Sequence, residues 1–200
     1  MKKVKWKGGA LLAPVPCVMV SCGSVEKPNI VTVAWTGIIN SQPPKTYISL
    51  RKSRFSHEII SKSREFVINL TTASLTRSAD FCGVRSGRDI DKFKACSLTA
   101  EPSSELSAPM IAESPVSIEC RVTDVIELGS HDMFVSDIVA VDIDESLITP
   151  DNRLALEKAG LIAYSHGEYY TLGKKLGSFG YSVKKKKKGR PKNGGSSQDR

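Results

Sequence analysis

Residues 116–143 constrain the fold of this chain more than any other stretch, because they read as two long strands joined by a tight turn. Val116–Leu128 places apolar residues at Val116, Ile118, Cys120 and Val122, the two-residue period of a strand with one buried face. The alternation slips phase near Asp124, which predicts a β-bulge there. Gly129-Ser130-His131-Asp132 makes the turn, and Met133–Ile143 returns as the antiparallel partner of a long hairpin.

The remaining elements agree with that start. Cys17–Cys22 is a compact apolar run stopped by Gly23, and Ser24–Asn29 is a polar turn containing Pro28. Ile30–Thr36 follows as a strand whose near-continuous apolar character suits burial on both faces. Phe66–Leu70 is a short strand with Asn69 as its one polar residue. Leu75, Ala79 and Phe81 have helical spacing, which predicts a helix over Ser74–Phe81, capped by Thr71, Thr72 or Ser74 and stopped near Gly83. Val84–Ala95 reads as a loop, Leu154–Ala159 as helical, and Tyr169–Leu172 as a last strand or an ordered segment. Several short strands, one long hairpin and no strand–helix alternation give a mainly β chain, an antiparallel barrel or sandwich with a few short helices. A doubly wound sheet is excluded. No G-x-G-x-x-G follows a strand, Gly167–Lys175 misses the P-loop spacing, and neither G-x-S-x-G nor H-E-x-x-H occurs.

The densest concentration of anion-binding side chains is in Lys45–Ser61. Tyr47, Ile48 and Leu50 form a strand; Arg51, Lys52, Ser53, Arg54, Ser56 and His57 then crowd seven positions. With Ser53 or Ser56 capping a short helix through His57–Ser61, two arginines and several hydroxyls would meet a helix N-terminus, an arrangement suited to a phosphate. A solvated basic turn has the same composition.

Read together, NIVTVAWTG, PPKTYISLRKSRFSHEII, FVINL, FCGVRSGRDIDKFKA, GSHDMFVSDIVAVD and GEYYTLGKKLGSFG resemble, in order and spacing, the flavin reductase-like, flavoredoxin-type family. The likeness runs from about Val15 to Tyr181. It implies a split antiparallel β-barrel, Greek-key-like, that binds FMN, as a homodimer. It implies phosphate ligands in Arg51, Arg54 and Ser56, and Ser49 and Leu50 beside the ribityl chain or ring. Ala34, Trp35 and Thr36 would line the isoalloxazine through backbone groups, and Ser86, Gly87 and Lys92 would close a second loop over the cofactor. An ordinary turn explains Ser86-Gly87 equally, and a solvated loop charge explains Lys92. His131 stands where relatives carry a similar Gly-x-His turn, which makes it the candidate catalytic group; a surface turn histidine is the alternative. His57 is expected beside the phosphate helix and His166 in a loop. Gly173–Gly177, with Phe179 and Tyr181, resembles a C-terminal piece that packs near the flavin or across the dimer.

The function implied is electron transfer from NAD(P)H, or from a redox protein, to an acceptor through bound FMN, with an NAD(P)H-dependent flavin oxidoreductase as the favoured enzyme. The alternative is a non-catalytic flavin-binding or interaction module with a basic nucleic-acid-binding tail. Composition adds less: 40% hydrophobic and 25% charged residues describe an ordinary domain. Of the formal charge of +8, +7 resides in residues 184–200, which hold eight Lys or Arg and one Asp and leave 21 basic against 20 acidic residues before them. Residues 1–183 are thus expected to form the domain and 184–200 a disordered tail that touches nucleic acid only weakly. Five cysteines, at 17, 22, 82, 96 and 120, lack C-x-x-C spacing and paired histidines, so neither a metal nor a disulfide framework is expected. Free thiols point to a cytoplasmic protein without membrane contact. The start of the chain imitates a signal peptide, but Pro14 and Pro16 break its apolar run, which serves as an entry loop and first strand.

Overall fold

The computed structural model describes residues 1–184. The first strands are Val15–Pro16 (β1), Val18–Gly23 (β2), Pro28–Val33 (β3), Thr36–Ser41 (β4) and Pro44–Leu50 (β5). Phe55–Ser63 (α1), Glu65–Leu70 (β6), Thr76–Val84 (α2) and Lys92–Ala95 (α3) follow, then a short pair, Ala100–Glu101 (β7) and Met110–Ile111 (β8). The long hairpin is Val116–Glu127 (β9) and Asp132–Ile143 (β10); Ile162–Ser165 (β11) and Glu168–Thr171 (β12) come last. Seven strands join in the order β3-β2-β6-β9-β10-β5-β4, every neighbouring pair antiparallel. The fold is a split antiparallel β-barrel with few short helices.

The hairpin bulge falls one residue from Asp124: Val135 faces Asp124 while Ser136 faces Val122, so Thr123 is the extra residue. The strand expected over Ile30–Thr36 ends instead at Val33. The chain bends at Ala34-Trp35, where the Trp35 carbonyl accepts the Ser49 N–H at 2.9 Å, and Thr36 opens β4. That strand escaped the sequence because it is a sheet edge whose side chains face outward, Ile38 being 70% exposed, so no burial period marks it. Neither Ser53 nor Ser56 caps α1. Arg54 is at the cap position with no side-chain cap bond, while Ser56 is buried in the first turn and accepts from Asn29 Nδ2 at 2.7 Å. α2 also lacks a side-chain cap and runs through Gly83; the missing Cβ lets that turn lie on Thr32. A 3-10 turn at Leu156–Lys158 is all the helix that forms over Leu154–Ala159.

The apolar run of β2, interrupted by Ser21 alone before Gly23, is explained by two cores. Val18, Val20 and Cys22 face the barrel interior with Ile48, Phe66 and Phe134. Cys17 and Met19 point the other way, under Leu75, Ala79 and Cys82 of the α2 layer and Phe93 of α3. This second layer sets α2 beside the β3–β4 corner, and the site forms between them. No helix among the described residues is long and apolar enough to cross a membrane. Most of the expected tail, residues 185–200, lies outside the described residues.

Candidate functional site

Two clefts meet at Val31, Arg51 and Arg54. The larger, about 450 Å³, is floored by the Val31–Trp35 corner and by Ser49 and Leu50 at the end of β5. Gly83 and Val84 of α2 form one side, and His131 and Tyr169 stand on the rim. The Tyr169 hydroxyl donates to Asp80 at 3.0 Å, and its ring centroid is 5.5 Å from that of Tyr164. Trp35 is 47% exposed and lies 4.5 Å, centroid to centroid, from His131, whose Nδ1 is 2.9 Å from Ser130 Oγ. Burial and the Arg51 charge push the His131 imidazole below its ordinary pKa, against Asp132. Its neutral form therefore dominates at neutral pH.

The smaller cleft, about 220 Å³, is cationic. Arg51, Arg54, Arg85 and Lys92 line it with Ser53, Ser56 and Ser86, and no carboxylate does. Among the described residues none of the three arginines has a carboxylate within ion-pair distance. Gly87 is required by close approach, since a Cβ there would collide with the Asn29 amide and crowd Phe55. Lys92 is not a solvated loop charge. It is buried on α3, and its Nζ donates to the Ile30 and Cys82 carbonyls, each at 2.7 Å, which ties β3 to α2. Burial lowers its pKa, and one ammonium hydrogen remains unspent by those two bonds.

The structure thus gathers Ala34, Trp35, Ser49, Leu50 and His131 around the larger cleft and Ser56, Ser86, Gly87 and Lys92 around the smaller, with Arg51 and Arg54 on both. Thr36 is left out; its hydroxyl donates to the Tyr47 carbonyl at 2.5 Å. His57 does not face the cationic cleft but sets Nε2 2.8 Å from Asp132 Oδ2, which fixes the start of β10 to α1. His166 is in the β11–β12 turn at φ 51. Asp80, Tyr169, Arg85 and Asn29 were not singled out from the sequence. Only Arg85, beside Ser86-Gly87, carried a local signal; the others reach the clefts through pairings distant in sequence. Among the described residues no group of three or more His, Cys, Asp or Glu is placed to hold a metal. A broad, aromatic-rimmed slot that opens at Arg51 and Arg54 into a smaller cationic hole fits a planar group that carries a terminal phosphate.

A family model described as flavin reductase like domain matches residues 11–173. The flavoredoxin of Desulfovibrio vulgaris (Miyazaki F) superposes with a TM-score of 0.84 at 31% identity, over 92% of this chain and 100% of that one. An uncharacterized protein of Archaeoglobus fulgidus is 32% identical over 130 residues, 65% of this chain and 73% of its own length. The NADPH-flavin oxidoreductase of Streptomyces viridifaciens is 26% identical over 128 residues, 63% of this chain and 65% of that protein.

Proposed function

The chain belongs to the flavin reductase like domain family, and from that premise we propose that it holds one FMN without a covalent link and passes electrons from NAD(P)H or a redox protein to an acceptor. The observation that carries the reading is the smaller cleft: three arginines without carboxylate partners among the described residues, a buried lysine and three serines around a space lined by no acidic residue. Fixed cations and hydroxyl donors of that kind would hold a dianionic phosphate. They offer no such hold on an uncharged ligand. Arg51 and Arg54 would grip the phosphate, with Ser56, Ser86 and the free Lys92 hydrogen completing its donors. The Ala34-Trp35 and Ser49-Leu50 backbones would face the flavin ring, which supplies the redox chemistry when bound.

His131 would stand over the open side of the larger cleft, neutral and held by Trp35 and Ser130, where it can orient a nicotinamide or acceptor and share a proton through Nε2. The name of the Streptomyces viridifaciens relative supports NADPH as donor, and the flavoredoxin likeness supports a flavin-based redox role. The same reading takes a two-fold dimer as the working unit. Ile38 and Ile39 on β4 and Ile126 and Leu128 at the hairpin tip are exposed, and Leu176 and Phe179 project from the C-terminal segment; a second subunit would cover them. The five free thiols accord with a cytoplasmic setting.

Purified protein should be yellow, with FMN near one per chain, and should bleach under anaerobic NADH or NADPH. A colourless protein that fails to take up FMN would overturn the reading. A flavoprotein bleached only by a reduced protein partner would assign it as a carrier. Light scattering should give twice 21.7 kDa.

A further inference from the structure

We propose that Cys82 and Cys96 form a reversible thiol/disulfide pair that staples the segment walling both clefts. Their sulfurs lie 3.9 Å apart. Cys82 is buried near the end of α2, and Cys96, partly exposed, is the C-cap of α3. Fourteen positions separate them, and the segment between carries Gly83 and Val84 of the larger cleft and Arg85, Ser86, Gly87 and Lys92 of the smaller. The bond would therefore join the two ends of the cleft wall and leave its ligand-facing groups inside the closed loop. Lys92 already bridges the same ends, donating to the Cys82 carbonyl while its own carbonyl accepts the Cys96 N–H at 3.1 Å. A cross-link there restrains every opened state of the wall.

The oxidant required is a peroxide. The Cys96 sulfur attacks one peroxide oxygen, the O–O bond breaks, and water departs from a sulfenic acid; the Cys82 sulfur then displaces the sulfenic oxygen, which leaves as a second water once it takes the Cys82 proton. Two thiols lose two electrons and two protons, and hydrogen peroxide becomes two waters. Burial and the adjacent Cys96 sulfur push the Cys82 thiol up to about 12, so the second step starts from a protonated sulfur and is slow. The staple thus responds to sustained oxidant. A small dithiol reverses it.

Hydrogen peroxide added to wild type and to Cys96→Ser, followed by thiol counting and peptide mass analysis, tests the pair. Wild type should fall from five free thiols to three, with a Cys82–Cys96 cross-linked peptide that dithiothreitol releases, and Cys96→Ser should keep its four. Retention of all five thiols, or oxidation of Cys96 to sulfinic acid without a cross-link, would overturn the pairing. The effect on the clefts rests on the flavin reading: FMN release from oxidised protein should slow about three- to tenfold, and an unchanged rate in cross-linked protein would overturn the staple. Absence of flavin from both forms would defeat the functional reading and leave the disulfide result standing.

Discussion

Asn69 and the Arg51–Arg54 cleft are both polar intrusions into an apolar barrel, and they satisfy their hydrogen bonds in opposite ways. Asn69 is fully buried, and its Nδ2 donates to the Met19 carbonyl at 3.0 Å and to Ser21 Oγ at 2.8 Å. Its Oδ1 accepts from Ile111 N–H and Ser117 Oγ, both at 2.9 Å. Glu119 behaves alike, accepting from Ser104 N–H and Oγ and from Glu105 N–H. Both residues bind the 104–111 segment to the barrel, and the protein consumes their hydrogen-bonding capacity. The arginines around the smaller cleft find no carboxylate among the described residues, and their donors stay available. Polar groups closed on the protein serve stability; polar groups gathered around an open space serve a ligand.

The sharpest way to break this contrast is to remove the open side. Arg51→Ala with Arg54→Ala should weaken FMN binding by about 3–5 kcal/mol, since each loses a charged hydrogen bond, while the unfolding midpoint of the flavin-free protein stays put. Equal FMN affinity in mutant and wild type would move the phosphate elsewhere. Removing the closed side should do the reverse. Asn69→Leu strands two donors and two acceptors in the core and should cost about 2–4 kcal/mol of stability in urea unfolding, with FMN stoichiometry unchanged in the protein that remains folded. A loss of FMN at full stability would make Asn69 part of the site.

His131 tests the contrast at the rim, where one group has both a protein partner and an open face. His131→Ala should slow flavin reduction or reoxidation tenfold to a hundredfold, about 1.4–2.7 kcal/mol, with FMN still bound. Stopped-flow traces identical to wild type with both nicotinamides and with oxygen would return His131 to a surface role, packed on Trp35.

Most of the barrel was legible in the sequence because its strands carry their own burial period: the hairpin, its bulge, and the ends of β2 and β5 all follow from alternation and turn residues. β4 was not legible, because an exposed edge strand has no buried face to generate a period. The candidate site was legible where the residues lining its smaller cleft are neighbours in the chain, as with Arg51, Arg54 and Ser56. Asp80 and Tyr169 meet only because β12 folds back over α2, and no local pattern records that meeting. The role of Lys92 was half visible. The charge in D-x-x-K-F could be seen, but its burial against two carbonyls depends on where β3 and α2 pack.

The smallest predicted effect probes a closed network that is imperfectly closed. Asp142 adjoins Glu119, and its Oδ2 is buried without a partner. Burial, then the Glu119 carboxylate, raise the Asp142 pKa. Burial also works to raise Glu119, but the bonds from Ser104 and the Glu105 backbone, with the adjacent Asp142 carboxyl, together bring it below the ordinary value. The two therefore contribute to stability with opposite signs. What Asp142 adds is full below the ordinary carboxylate range and is lost as pH rises through its raised value; what Glu119 adds is present above that range and lost as pH falls. Where both are ionised, two negative charges adjoin in a poorly hydrated place. Asp142→Asn removes one of them and keeps an N–H that can donate to Glu119, so it should stabilise the protein by about 1 kcal/mol at pH 7 and add nothing near pH 3, where Asp142 is already protonated. Urea midpoints at the two pH values decide it: a loss at pH 7, or an equal gain at both, would mean that the Asp142 charge is not opposed by Glu119.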